Sequence, residues 1–236
     1  MSTVLPQITT LKGVALDLFF PAWCVGCGRE GKYICDLCCE KLPLISPPIC
    51  VICGRPLTDK NTCPGCVEEP VVVDGIRAPF LFHGVIRKAV HELKYRNLKA
   101  IAPSLAGFLH DYLLENPIPG NVLVPVPIHR KRQRERGYNQ SSLIVRELSR
   151  NNGMPVIEDC LVRSINTPPQ VRTTSASERR KNIADAFACN NDKLKNRQVI
   201  LIDDVSTSGA TLNTCAAVLK AAGAASVWGL TIALEM

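Results

Sequence analysis

The chain has 236 residues, 46% hydrophobic and 21% charged, which is enough apolar material for a core and excludes wholesale disorder or low complexity. Residues 1–70 carry 6 basic and 7 acidic side chains and the rest carry 22 and 14. The net charge of +7 therefore belongs to the larger part, where it suits a polyanion such as a phosphate ester or a nucleic acid. No apolar run reaches the ~18 residues of a membrane helix. The best N-terminal candidate, Gly13 to Phe20, is short, is interrupted by Asp17 and lacks a basic leader, so the expectation is a cytoplasmic protein without a signal peptide or membrane partner.

Nine of the 12 cysteines fall between Cys24 and Cys66, and eight of them form CxxC pairs: Cys24/Cys27, Cys35/Cys38, Cys50/Cys53 and Cys63/Cys66. Thiolates two residues apart converge on one metal, and the glycines that follow (Gly28, Gly54) suit a backbone turned so that amides face the sulfurs. Consecutive pairs complete two four-cysteine sites, 24/27 with 35/38 and 50/53 with 63/66. Disulfides would need an oxidising compartment, and a redox CxxC would occur once, at a helix start. Two structural zinc ions, closed to water, are the expectation, with Cys39 a spare. A net charge of −1 over residues 1–70 makes this head a structural or partner-docking module ahead of a phosphate-backbone binder. The predicted division is 1–70 for the N-terminal segment and double ribbon, and 71–236 for the second domain.

Phe80 to Tyr95 reads as a strand followed by an amphipathic helix with Val85, Ile86, Ala89, Val90 and Leu93 on one face, and Lys94 as a helix-end cation. Asn121 to Pro127 is an apolar strand ending in prolines. It leads into a loop, His129 to Arg136, with five Lys/Arg in eight positions, and Gly137 precedes a helix to about Arg150. In an open parallel sheet such a loop lies at the ligand crevice; the competing readings are a solvated basic run and a nucleic-acid patch. Asn139 and Gln140 begin the helix as capping or ligand residues. Thr167 to Asn182 is polar and aperiodic, a connector or a lid. His83, His91 and His110 have no metal-ligand partners in the pattern.

Val199 to Ile202 is a run of β-preferring residues typical of a strand buried on both faces. It ends in Asp203-Asp204, followed by Val205-Ser206-Thr207-Ser208-Gly209-Ala210-Thr211, a helix from Leu212 to Ala222 and a second apolar stretch, Ser226 to Leu234. This order makes a phosphate cradle. Backbone N–H groups and the Thr207, Ser208 and Thr211 hydroxyls face one phosphate at a helix N-terminus. Two carboxylates just ahead of it suit sugar hydroxyls, with hydrated Mg²⁺ nearby. The loop reads as a ribose 5-phosphate site; no Lys follows the Gly, which excludes a Walker loop. The bland alternative is an ordinary βα turn with a Ser/Thr cap.

Val199 to Thr211 resembles the 5-phosphoribosyl-1-pyrophosphate (PRPP) motif of type I phosphoribosyltransferases. The chain from Cys24 onward is similar to the ComF family, which joins a double zinc ribbon to a phosphoribosyltransferase-like domain. Further segments carry the match: Ala78-Pro79-Phe80 through Tyr95, Pro125 to His129 with Arg136 to Gln140, Thr167 to Gln170 with Arg179 and Asn182, and Ala186-Phe187. Ser208 stands where the motif usually has Thr, and Tyr138 where Phe is usual. The resemblance implies an α/β fold, a parallel-sheet Rossmann-like domain behind the ribbons. It also implies Asp203 and Asp204 on the ribose and Thr207, Ser208, Gly209, Ala210 and Thr211 on the 5-phosphate. Arg130, Arg136 and Gly137 would hold the Mg²⁺-bound pyrophosphate, and a lid would bring Gln170, Arg179 and Asn182 over it.

On that resemblance the chain either transfers phosphoribosyl to a nitrogen acceptor with release of pyrophosphate, or binds PRPP or a nucleotide without catalysis. The third reading is handling of DNA in natural competence, with single-stranded DNA or a DNA-processing protein as partner. Catalysis itself and a homodimer stay open.

Overall fold

The computed structural model describes residues 21–59, 61–68, 71–164, 186–189 and 192–236. Its centre is an all-parallel sheet in the order β1 (Gly75–Arg77), β7 (Ser226–Leu234), β6 (Gln198–Ser206), β3 (Val122–Pro125), with β2 (Phe80–Leu81) also pairing with β7 beyond β1. The short apolar runs lie in the middle, covered on both faces, as continuous hydrophobic strands in parallel sheets are. A two-stranded antiparallel pair, β4 (Leu161–Arg163) with β5 (Phe187–Cys189), stands apart.

Strand alternation divides the core in two. Leu123, Ile200, Ile202, Leu230 and Ile232 face a layer built on α3 (Gly84–Tyr95), α4 (Ala102–Glu115) and α6 (Gln140–Asn152). Val122, Val124, Val199, Leu201 and Val227 face α7 (Ala210–Ala221) and the β4–β5 pair. The predicted face of α3 is the buried one: Ile86, Ala89, Val90 and Leu93 are inside, with Val85 half-buried. Burying each such side chain contributes about 1.5–3 kcal/mol, so both layers are held chiefly by these stripes.

Two boundaries differ from the sequence reading. The strand expected to stop at Ile202 runs on to Ser206, because its register with β7 continues through Asp203↔Thr231 and Val205↔Ala233 to Ser206↔Leu234. The apolar run ends at Ile202, but the ladder does not. The basic segment expected as a loop is a helix, α5 (Arg130–Arg136). His129 caps its start, accepting from the Lys131 amide at 3.2 Å, and Gly137 closes its end in the left-handed conformation. With no apolar residue in Arg130–Arg136, hydrophobic periodicity was silent there. The following helix begins at Gln140, where Asn139 accepts from the Ser141 amide as its N-cap and donates to the Val126 carbonyl, both at 3.0 Å.

Within the head, α1 (Asp36–Cys39) and α2 (Pro64–Glu68) each start just after the first cysteine of the ribbon's second pair, Cys35 and Cys63, and carry the last ligand cysteine. The first ribbon joins the α3 layer, where Cys24, Ile34, Cys35 and Cys38 are buried. The second lies along the β1 edge of the sheet: the Ile76 amide donates to the Ile52 carbonyl at 2.6 Å.

Candidate functional site

Two clusters of sulfur form as paired from the spacing. Cys24, Cys27, Cys35 and Cys38 make one and Cys50, Cys53, Cys63 and Cys66 the other, with the Sγ atoms of each within 4.8 Å of one another. Tetrahedral zinc with Zn–S of about 2.3 Å has sulfur–sulfur edges of about 3.8 Å. The Cys27–Cys35 and Cys53–Cys63 separations, 3.5 and 3.6 Å, match that spacing. The sites repeat one construction: the Cys35 amide donates to Cys24 Sγ and the Cys63 amide to Cys50 Sγ, each at 3.4 Å. Burial opposes the Cys24 and Cys50 thiolates, but converging amides outweigh it and bring both to about 6. Burial and neighbouring sulfur push Cys38 up to about 12. Four soft ligands with no open position make each a structural zinc site. Cys39 belongs to neither cluster.

At the far end of β6 the chain turns through Thr207 and Ser208, both exposed, into α7. Gly209 is the N-cap at φ +77°, a conformation costly for any side chain. A Cβ there would also sit 3.0 Å from Ile76 Cδ1, so the turn lies close against β1. The first helical backbone bond runs from Asn213 to the Gly209 carbonyl at 2.9 Å, which leaves the preceding amides without helical acceptors. Ser208 Oγ lies 3.4 Å from the Ala210 amide. Thr207 to Thr211, the segment expected as a phosphate cradle, thus make the turn into α7 and its first residues.

The acidic pair lies on β6 itself, so its members point different ways. Asp204 follows Ile200 and Ile202 toward the α3 layer; it is 3% exposed, and its Oδ1 meets Lys94 Nζ at 2.7 Å. Its Oδ2 is buried with no hydrogen-bond partner among the described residues. Burial works against the Lys94 charge, but Asp204 and then Asp203 more than compensate and hold its pKa above the ordinary lysine value. Lys94, expected only as a helix-end cation, is therefore the counter-ion of this carboxylate. Asp203 is partly exposed at the rim, accepting from Ser141 Oγ at 3.0 Å and from the Asp204 amide at 2.9 Å. Burial first, then the Asp204 charge, raises its pKa to about 7 against the pull of Lys94.

The predicted pyrophosphate ligands divide. In register, Pro125 of β3 stands beside Ile202 of β6, so α5 starts from the same sheet edge as the cradle. Arg130 is exposed in its first turn. Arg136, at its end, already donates to Gln140 Oε1 and lies over the Tyr95 ring, 5.5 Å from the centroid. Gly137 is the cap between α5 and the buried Tyr138, whose hydroxyl donates to the Leu93 carbonyl. Gln170, Arg179 and Asn182 lie outside the described residues. A cavity of about 930 Å3 opens elsewhere, between the first ribbon and α3, lined by Trp23, Cys24, Tyr33, Arg87, Lys88 and His91; none of the expected phosphate or sugar ligands borders it. Sequence reasoning missed Ser141 and Arg55, whose Nη2 donates to the Thr207 carbonyl at 2.6 Å. No local pattern marks either.

Residues 15–67 match the family model of the double zinc ribbon domain. Competence protein F of Haemophilus influenzae is 31% identical over 229 residues, covering 90% of this chain and 97% of that protein. Competence protein ComFC of Bacillus subtilis is 28% identical over 212 residues, 86% of this chain and 85% of the relative. The DNA utilization protein YhgH of Escherichia coli K12 is 28% identical over 201 residues, 82% and 87% of the two. Among solved structures, a glutamine PRPP amidotransferase from B. subtilis aligns at TM-score 0.40 and 15% identity over 56% of this chain. The chain spans about a quarter of that structure's length, 26%. A purine phosphoribosyltransferase from Pyrococcus horikoshii aligns at 0.34 and 18%, over 56% of this chain and 70% of the other.

Proposed function

The chain belongs to the ComF family, and from that premise we propose that it binds PRPP at the carboxyl rim of its parallel sheet and transfers the phosphoribosyl group to a nitrogen nucleophile. One observation carries the reading. Where β6 ends, a buried carboxylate oxygen without a partner among the described residues, a rim carboxylate and a glycine-capped helix start stand within nine residues of chain. Ligands of open α/β sheets lie at that edge.

Each residue then has a task. The amides and hydroxyls from Thr207 to Thr211 hold the 5-phosphate at the positive end of α7. Asp203 accepts from a ribose hydroxyl, and Ser141 and the Asp204 amide fix its orientation beforehand. Asp204 offers its free oxygen to a ribose hydroxyl or to hydrated metal while Lys94 balances its charge. The carboxylate oxygens of Asp203 and Asp204 suit a hard cation and would hold Mg²⁺ arriving with the substrate, which would supply neutralising charge for the pyrophosphate. Arg130 adds a guanidinium on the same side. The chemistry is positioning and charge stabilisation, with no covalent role for the protein. Domains meeting near residue 70, and a cytoplasmic setting, fit this reading.

Isothermal titration with Mg²⁺-PRPP tests it: saturable binding, lost in Asp203→Asn/Asp204→Asn with circular dichroism unchanged, is expected. Equal affinity in that variant refutes the assignment. Pyrophosphate release across a panel of bases and amines separates an enzyme from a sensor. The relatives' competence and DNA-utilization names, with the exposed Arg130, Lys131 and Arg134 of α5, favour single-stranded DNA as the second reading. That reading requires log K to fall steeply with log salt.

A further inference from the structure

We propose that the second zinc site is a working part of the phosphate cradle, acting through Arg55 as a positioning residue. The two ribbons are built alike but attached differently. The first packs on the helical layer, where Lys88 Nζ donates to the Gly26 carbonyl at 3.2 Å. The second reaches the sheet rim. The Arg55 amide is directed at the Cys53 sulfur, and its carbonyl accepts from the Cys50 amide at 2.8 Å. Both bonds fix its backbone to that cluster, while its guanidinium holds the Thr207 carbonyl at 2.6 Å.

A second route runs beside it. Gly54, at φ +73°, lies against Ile76, where a Cβ would come within 2.5 Å of the Ile76 carbonyl. The Ile76 side chain in turn abuts Gly209. Zinc ligand, arginine and cradle thus form one continuous path, and zinc ligand, glycine, Ile76 and cradle form another. With zinc bound, the knuckle is rigid and Thr207 is held with its carbonyl turned toward Arg55, away from the anion its neighbours' amides must face. Without zinc, four uncompensated thiols release the knuckle and the cradle loses its anchor. Binding linkage is reciprocal, so an anion in the cradle tightens binding of the second zinc but not of the first. The anion named here rests on the PRPP reading; the mechanical coupling does not.

The test is hydrogen exchange on the full-length zinc-loaded protein, with zinc content measured for each variant. Arg55→Ala retains both zincs and exchanges the amides of residues 213–215, the first hydrogen-bonded amides of α7 behind the cradle, about 10-fold faster, the worth of one charge-assisted hydrogen bond. Arg55→Lys restores part of that protection. Cys63→Ser loses one zinc with the same cradle effect, whereas Cys35→Ser loses one zinc and leaves cradle exchange unchanged. Unchanged cradle exchange in Arg55→Ala, or equal effects of the two cysteine variants, overturns the coupling. Parallel PRPP titration separates the two readings. A wild-type protein that ignores PRPP but shows the exchange pattern retains the coupling and loses the ligand; PRPP binding with a flat pattern does the reverse.

Discussion

Replacing Lys94 by Met removes the only cation paired with Asp204 among the described residues and leaves a carboxylate, 4% exposed in its side chain, with both oxygens unpartnered. Across 2.7 Å the attraction is roughly 6 kcal/mol at an effective dielectric of about 20. Freeing the lysine returns its own desolvation cost, so the net loss is about 3 kcal/mol, at the low end of the ~3–5 kcal/mol typical of broken buried pairs. For a chain of this size that lowers Tm by about 6–12 °C. Urea unfolding of the single variants and of Lys94→Met/Asp204→Leu completes the cycle. The double variant should regain at least half of the lost stability, because two apolar side chains leave no orphaned charge. A Lys94→Met cost under about 1 kcal/mol, as for surface pairs, or strictly additive losses, would refute the assignment of Asp204 as a buried ion-pair partner.

Asp203 gives a pH signature. Its carboxyl is held up to about 7, against an ordinary 3.8, so between these values the folded protein keeps a proton that the unfolded chain has lost. Stability therefore falls as pH rises through that window and levels above it; urea midpoints should show the slope, and Asp203→Asn should flatten it. Sugar hydroxyls prefer the ionised form, so PRPP affinity should rise over the same interval in wild type alone. Gly209→Ala places a side chain in the left-handed region beside Ile76 and should cost about 1–2 kcal/mol with loss of PRPP binding; wild-type stability in this variant would mean the turn is not held as described. Metal analysis should return two zincs per chain, falling to one in Cys24→Ser or Cys50→Ser.

The features readable from sequence are those whose determinants are neighbours in the chain. A CxxC pair fixes its own geometry, and two such pairs within 17 residues must meet, so both zinc sites were visible. The strand, turn and helix from Gln198 to Ala221 were legible for the same reason, through an apolar run, a glycine cap and an alanine-rich stretch. Lys94 and Asp204 come from different layers, and Arg55 reaches a carbonyl 152 residues away. Only the assembled sheet brings those groups together. The α5 helix falls between the cases: Gly137 is an ordinary helix stop, but a surface helix of seven polar residues offers no hydrophobic stripe to count.

The position of β7 has a consequence for how the polypeptide acquires its shape. It is the last strand along the chain, yet it is inserted between β1 and β6. During synthesis β1 emerges about 150 residues before its neighbour and must wait with open backbone groups until residues 226–234 leave the ribosome. The metal-bound ribbons, complete by residue 66, can close the other edge of β1, where the Ile76 amide bonds to Ile52, so that one edge and not two stays open during the wait. Nascent chains stalled before residue 226 should therefore be slow to aggregate in the presence of zinc and quick to do so when it is withheld.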